Sequence, residues 1–228
     1  MKQLTDFSFH VYQKADDDNC GPTCLAMIYR LKQVKRSVND ILSDANIEKK
    51  GEPTYAPQLA RDLLAHHIRT QILSMNTRSL PPSWSEYSSK ELQASLKKWL
   101  VHNKNHEWFL HNLHMLFYLQ EGGSVKIKVF SIQDIEQMID NGSILLVCVD
   151  EVWLYGSRSK AKEATFDNIR GDTYGHFVLI TGYTETGFQI ADPYPTGDKK
   201  KNKVYIIPKE HLIAASFSWA GSIVEVLK

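Results

Sequence analysis

Asp18-Asn19-Cys20-Gly21-Pro22-Thr23-Cys24-Leu25-Ala26-Met27 is the stretch that decides the fold, because it reads as the opening of a helix that begins at a cysteine. Pro22 suits a first helical turn, where its missing N–H has no partner to lose. Leu25, Ile28 and Leu31 then follow three apart on one face, with Cys24 and Met27 beside them. A thiol reacts as the thiolate, and its free pKa of about 8.5 leaves little of that form at neutral pH. The unpaired N–H groups and partial positive charge of a helix N-terminus stabilise an anion there. Cys20 is therefore a candidate nucleophile; the competing reading is a small buried hydrophobe, which is what most free cysteines are. Gly21 is expected to let a substrate backbone approach closely. Cys24, one turn on, reads as core.

Working outward, Ser37 is expected to cap a second helix carrying Val38, Ile41 and Leu42. A third helix follows Pro57, with a stripe of Leu59, Leu63 and Leu64 and with His66 and His67 at its end. Residues 70–73 suggest a strand. The stretch 88–119, with Leu92, Leu96, Trp99, Leu100, Trp108, Leu113, Leu116 and Phe117, fits one long helix or two shorter ones. Residues 75–125 read as a helical insertion that shapes a binding cleft. The second half changes character. Residues 125–130 alternate apolar and basic side chains, as a half-exposed strand does. Ser131 caps a short helix closed by Asn141-Gly142. Segments 144–149, 176–183, 188–191 and 204–207 are β-like, 208–215 helical, and 222–227 a last strand. The predicted class is α+β, N-terminal helices packed on a C-terminal antiparallel sheet, with residues 1–228 as one domain.

A thiolate nucleophile needs a base, and the base an orienting group. His176 opens the apolar run of 176–183, at a strand's mouth; alternatively it simply bonds a nearby carbonyl. The short turn 184–187 makes the next strand an antiparallel partner, and across such a hairpin the start of one strand lies near the end of the next. Asp192, in Ile190-Ala191-Asp192-Pro193, is thereby brought toward His176, where it would hold the imidazole's tautomer. Donors for a developing oxyanion are the Cys20 backbone N–H and the Gln13 side-chain amide. Gln13 reads equally well as a plain surface residue.

Bulk properties narrow the partners. The 228 residues carry 27 basic and 26 acidic side chains, a formal charge of +1. Nothing in that balance supplies the concentrated basic face that nucleic acid or an anionic membrane would want. The start of the chain has no signal-peptide pattern, and no run approaches the ~18–20 apolar residues of a membrane span. Three cysteines are too few and odd in number for a disulfide scaffold, which favours a reducing compartment. The expected location is the cytoplasm, although leaderless secretion would leave no trace in these features. His102, His106, His111 and His114 do not form a recognisable zinc pattern, since the last two point away from the first two on a continuous helix. No metal and no cofactor are expected. Lys199-Lys200-Lys201-Asn202-Lys203 reads as an exposed turn. Trp153, Tyr155 and Trp219 read as core or cleft lining.

Together these segments resemble the peptidase domain of double-glycine leader peptidases, papain-like proteases that trim bacteriocin precursors. They resemble still more closely a stand-alone peptidase-like family related to them. The resemblance is carried by Gln13 ahead of Asn19-Cys20-Gly21-Pro22-Thr23-Cys24-Leu25-Ala26-Met27, by Gly175-His176-Phe177-Val178 running to Gly182-Tyr183, and by Asp192-Pro193. It implies a papain-like cysteine proteinase fold with Cys20 as nucleophile, His176 as base, Asp192 as orienting group and Gln13 as oxyanion donor. Two departures stand out. Gln13 is one residue further from the cysteine than is usual in the family. Asp16-Asp17-Asp18 crowds the approach with charges that oppose a thiolate; it reads as solvated loop, with a weaker suggestion of contact with a basic substrate. The expected activity is hydrolysis of a peptide or isopeptide bond in a protein or peptide substrate. The same triad also serves glutamine deamidation and acyl transfer, and the fold also serves as a catalytically silent binding module. Oligomeric state is not legible in these features.

Overall fold

The computed structural model describes residues 3–13, 18–44, 53–160, 165–194 and 204–228. Apolar stripes and caps set its helical layer. α1 (Cys20–Leu31) buries its whole middle, from Gly21 to Tyr29. α2 (Val38–Asp44) starts after Ser37, whose hydroxyl accepts the Asp40 N–H at 3.2 Å. α3 (Ala56–Ala65), with Pro57 in its first turn, leads into β1 (Thr70–Ser74). The stretch 88–119 divides into α4 (Ser89–His102) and α5 (Phe109–Gln120). Ser88 caps α4 through a reciprocal pair with Glu91, and the turn 103–108 reverses the chain.

β2 (Ser124–Ile127) is shorter than expected: the chain leaves the sheet at Lys128, which bonds the Asp134 carboxylate at 2.6 Å. α6 (Ile132–Asp140) is capped by Ser131, and Gly142 follows it in the left-handed region (φ 90°) that glycine tolerates. β3 (Ile144–Asp150) runs directly into α7 (Glu151–Tyr155), a helix absent from the sequence expectations. A small hairpin, β4 (Ser159–Lys160) with β5 (Thr165–Phe166), precedes β6 (Gly175–Tyr183). β7 (Gly187–Ala191), β8 (Val204–Pro208), α8 (Lys209–Trp219) and β9 (Ser222–Val226) complete the chain order.

The α+β expectation holds, with one difference in the sheet. Its order is β2-β1-β9-β3-β6-β7-β8, so β1, from the first half of the chain, lies inside the sheet between β2 and β9. β1 and β2 pair in parallel, as the α4–α5 crossover between them requires, while the other neighbours are antiparallel. Helices cover both faces rather than one. Alternation along each strand sorts the core accordingly. Leu146, Cys148, Phe177 and Leu179 face α1, α3 and α5, whereas Leu145, Val147, Val178 and Ile180 face α6, α7 and α8. The end of β3 and the start of β6 are register partners, Asp150 opposite Gly175. The end of β7 approaches the same edge, and the candidate residues gather there.

Candidate active site

Cys20 is the first residue of α1 and is partly buried. Asn19 makes no side-chain capping hydrogen bond and so does not compete for the positive end of the helix. The helix is held against the sheet from below. Cys24, fully buried, donates its thiol hydrogen to the Phe177 carbonyl at 3.3 Å, and burial pushes its pKa well up. Cys24 is thus core, as expected. Gly21 has a packing reason of its own. A Cβ there would lie 2.6 Å from Thr54 Oγ1 and 2.8 Å from Leu59 Cδ1. The buried glycine allows α1 to pack on the start of α3.

His176 hangs from the second residue of β6 with its side chain 10% exposed. Its Nε2 donates to Asp192 Oδ1 at 2.8 Å, and the ring also lies within electrostatic reach of Cys20. Since Asp192 takes Nε2, Nδ1 is the nitrogen left for the sulfur. Burial alone would strip the proton from this imidazole. The charge and hydrogen bond of Asp192, then the charge of Cys20, outweigh that and raise its pKa to about 10. His176 is thus tied to Asp192 by a hydrogen bond and by charge, and feels the charge of Cys20.

Asp192 is fully buried, and four donors surround it. Oδ1 accepts His176 Nε2–H and the Tyr194 N–H, each at 2.8 Å. Oδ2 accepts the Tyr155 hydroxyl at 2.8 Å and the Tyr205 hydroxyl at 2.5 Å. Burial works against its charge, yet His176 and these donors hold the carboxyl below its ordinary range. The Asp192 carbonyl in turn accepts from buried His10 Nε2 at 2.7 Å.

Gln13 arrives on a strap. Leu4 exchanges two hydrogen bonds with the Gln189 side chain, His10 bonds Asp192, and the Gln13 N–H donates to the Pro193 carbonyl at 2.8 Å. The backbone of Gln13 is thus fixed at the corner after Asp192. Asp18 is exposed; Asp16 and Asp17 lie outside the described residues, as does the 199–203 lysine run.

Several neighbours were not anticipated. Glu151 opens α7 and accepts the Ser159 hydroxyl; burial raises its pKa against that bond and the charge of His176. Tyr155, expected to be core or cleft lining, reaches Asp192. Tyr205 had one legible signal, since period two along 204–208 turns it with Ile207 to the buried face. Trp219 packs closely on Gly175, where a Cβ would lie 2.1 Å from its Nε1. Trp153 is 46% exposed. Of the four histidines considered for metal, His111 is buried with Nδ1 3.2 Å from Ser79 Oγ, and burial lowers its pKa to about 4. Among the described residues no group of three or more His, Cys, Asp or Glu could hold a metal ion. No helix among them is long and apolar enough to cross a membrane.

The model of the Peptidase_C39 like family matches residues 6–222. A crystal structure of a protein from Bacillus anthracis, assigned there as a C39-like peptidase, aligns with 100% of this chain and 98% of that chain, with TM-score 0.48 and 13% sequence identity. No curated protein matches the chain.

Proposed function

Because the chain belongs to the Peptidase_C39 like family, we propose that it is a cysteine peptidase with Cys20 as nucleophile, His176 as general base and acid, and Asp192 as the group that orients His176. The observation that carries this reading is the buried His176–Asp192 hydrogen bond beside Cys20, itself the first residue of a helix. A thiolate beside an imidazolium is the reactive state of such a pair. The sulfur adds to the carbonyl carbon of a peptide or isopeptide bond, and the oxyanion is met by the Cys20 N–H and the Gln13 side-chain amide. His176 gives its proton to the departing amine, leaving a thioester on Cys20. Water, deprotonated by His176, then adds to the thioester, releasing the acid and returning the thiol. The substrate is a protein or peptide. Residues 1–228 act as one domain in this reading, supported by Leu96, Met115 and Tyr118 of the 75–125 segment sharing a core with α1.

The test is a peptide-library digestion read by mass spectrometry, with Cys20→Ala and His176→Ala as controls. Each variant is expected to lose about 10³-fold or more of the activity. Full activity in either variant sinks the mechanism. Products carrying a deamidated glutamine or a new conjugate, in place of a cleaved bond, would reassign the reaction while keeping the same residues.

A further inference from the structure

The oxygen of Asp192 that faces away from His176 is held by two tyrosine hydroxyls from different elements, Tyr155 ending α7 and Tyr205 in β8. An ionised carboxylate offers about four acceptor positions, and at Asp192 all are occupied. Buried tyrosines do need some partner for the hydroxyl, but Tyr155 has another at hand. The Tyr194 carbonyl is 3.1 Å away, and the hydroxyl lies closer to Asp192, at 2.8 Å. The Tyr155 ring is itself steadied, between His176 and Phe166 at centroid distances of 6.2 and 6.3 Å. Two donors on Oδ2 fix the plane of the carboxylate. Fixing that plane presents Oδ1 to Nε2 and so turns Nδ1 toward Cys20.

We propose that Tyr155 and Tyr205 are positioning residues that lock the Asp192 carboxylate, and through it the His176 ring, in the orientation that serves Cys20. This rests on the peptidase reading of Cys20. The other titratable groups facing this assembly are Cys24 on α1, Cys148 on β3, Glu151 on α7 and His10 on the strap. None of them donates to Oδ2. Without the tyrosine hydroxyls the carboxylate can turn off Nε2, and burial then favours the neutral imidazole.

Tyr155→Phe, Tyr205→Phe and the double variant keep the rings and remove only the hydroxyls. Two readouts separate positioning from packing. The first is the alkylation rate of Cys20 as a function of pH. Each single variant is expected to move the onset of alkylation up by about one pH unit, which slows it about tenfold on the rising side of the profile, more in the double variant. The second is the imidazole titration of His176 by NMR in a Cys20→Ala background, expected to shift downward in the same order. Unchanged titration and alkylation in both single variants overturn the proposal. The NMR arm needs no thiol. If wild-type Cys20 reacts like a model thiol and is indifferent to His176→Ala, the peptidase reading falls, while the titration still decides the tyrosines.

Discussion

A buried imidazole ordinarily gives up its proton, because burial penalises the charged form; at His176 the neighbouring Asp192 reverses the outcome and the pKa reaches about 10. A folded-state pKa above the unfolded value of about 6.5 contributes stability that is complete below that value and is lost as pH rises through about 10. Asp192 has the opposite sense. Its depressed pKa contributes above the ordinary carboxylate range and is lost as pH falls. Activity and thermal stability should therefore decline together on the alkaline side near pH 10, measurable as parallel profiles of kcat/KM and Tm. Asp192→Asn keeps the shape and removes the charge. It is expected to lower kcat/KM by about 10²–10⁴-fold and to bring the alkaline limb toward neutrality. A limb that stays in place would show that Asp192 does not set the charge of His176. The sequence carried the His176–Asp192 pairing because the turn at 184–187 leaves only one hairpin. It carried nothing of Tyr155 or His10, whose bonds to Asp192 join segments far apart in the chain.

At the scale of elements, α1 is tied to α3 by a buried polar knot as well as by apolar packing. The Tyr29 hydroxyl donates to the Asp62 carboxylate, and Arg36, just ahead of α2, reaches the same oxygen at 3.0 Å. Both the Arg36 and Asp62 side chains are buried. Asp62→Ala would leave Arg36 the exposed Asp44 as its carboxylate partner and the Tyr29 hydroxyl the backbone carbonyl of position 62 as acceptor, and removing one partner of a buried pair is costly even where the intact pair gains little. A loss of about 3 kcal/mol in urea unfolding is expected; a change below about 0.5 kcal/mol would mean that water takes the place of Asp62 without penalty. Elements with one clear period were legible. α1, the Ser131-capped α6, and the apolar runs of β3 and β6 fall within a residue or two of their expected bounds. α7 was not, since five residues show no period, and its apolar members merge with the run of β3. The parallel partner of β1 was not legible either. An edge strand's sequence records one face and turn signals, but not which neighbour it joins. Gly21 shows the same limit, because its reason lies in Thr54 and Leu59, on another element.

At the scale of the whole molecule, the helices around α5 carry an acid-sensitive weakness. Burial lowers the pKa values of His111 and His114 to about 4. The unfolded chain takes up these protons from about pH 6.5 downward, so stability is lost as pH falls from there toward 4. The thermal midpoint should drop between pH 7 and 4.5, and His111→Gln should flatten that drop; an equally steep drop in the variant would assign the effect to the carboxylates. The sheet order has a consequence of another kind, one of timing. β9 is the last strand along the chain, yet it lies between β1 and β3. Before it is in place, β1–β2 and the β3–β6–β7–β8 ladder share no hydrogen-bonded edge. Pairings this distant in sequence form slowly. During synthesis, Cys20 leaves the ribosome long before His176, and the two half-sheets wait for residues 222–226. A growing chain thus carries Cys20 before its neighbours exist, and the sheet becomes continuous only with the final strand.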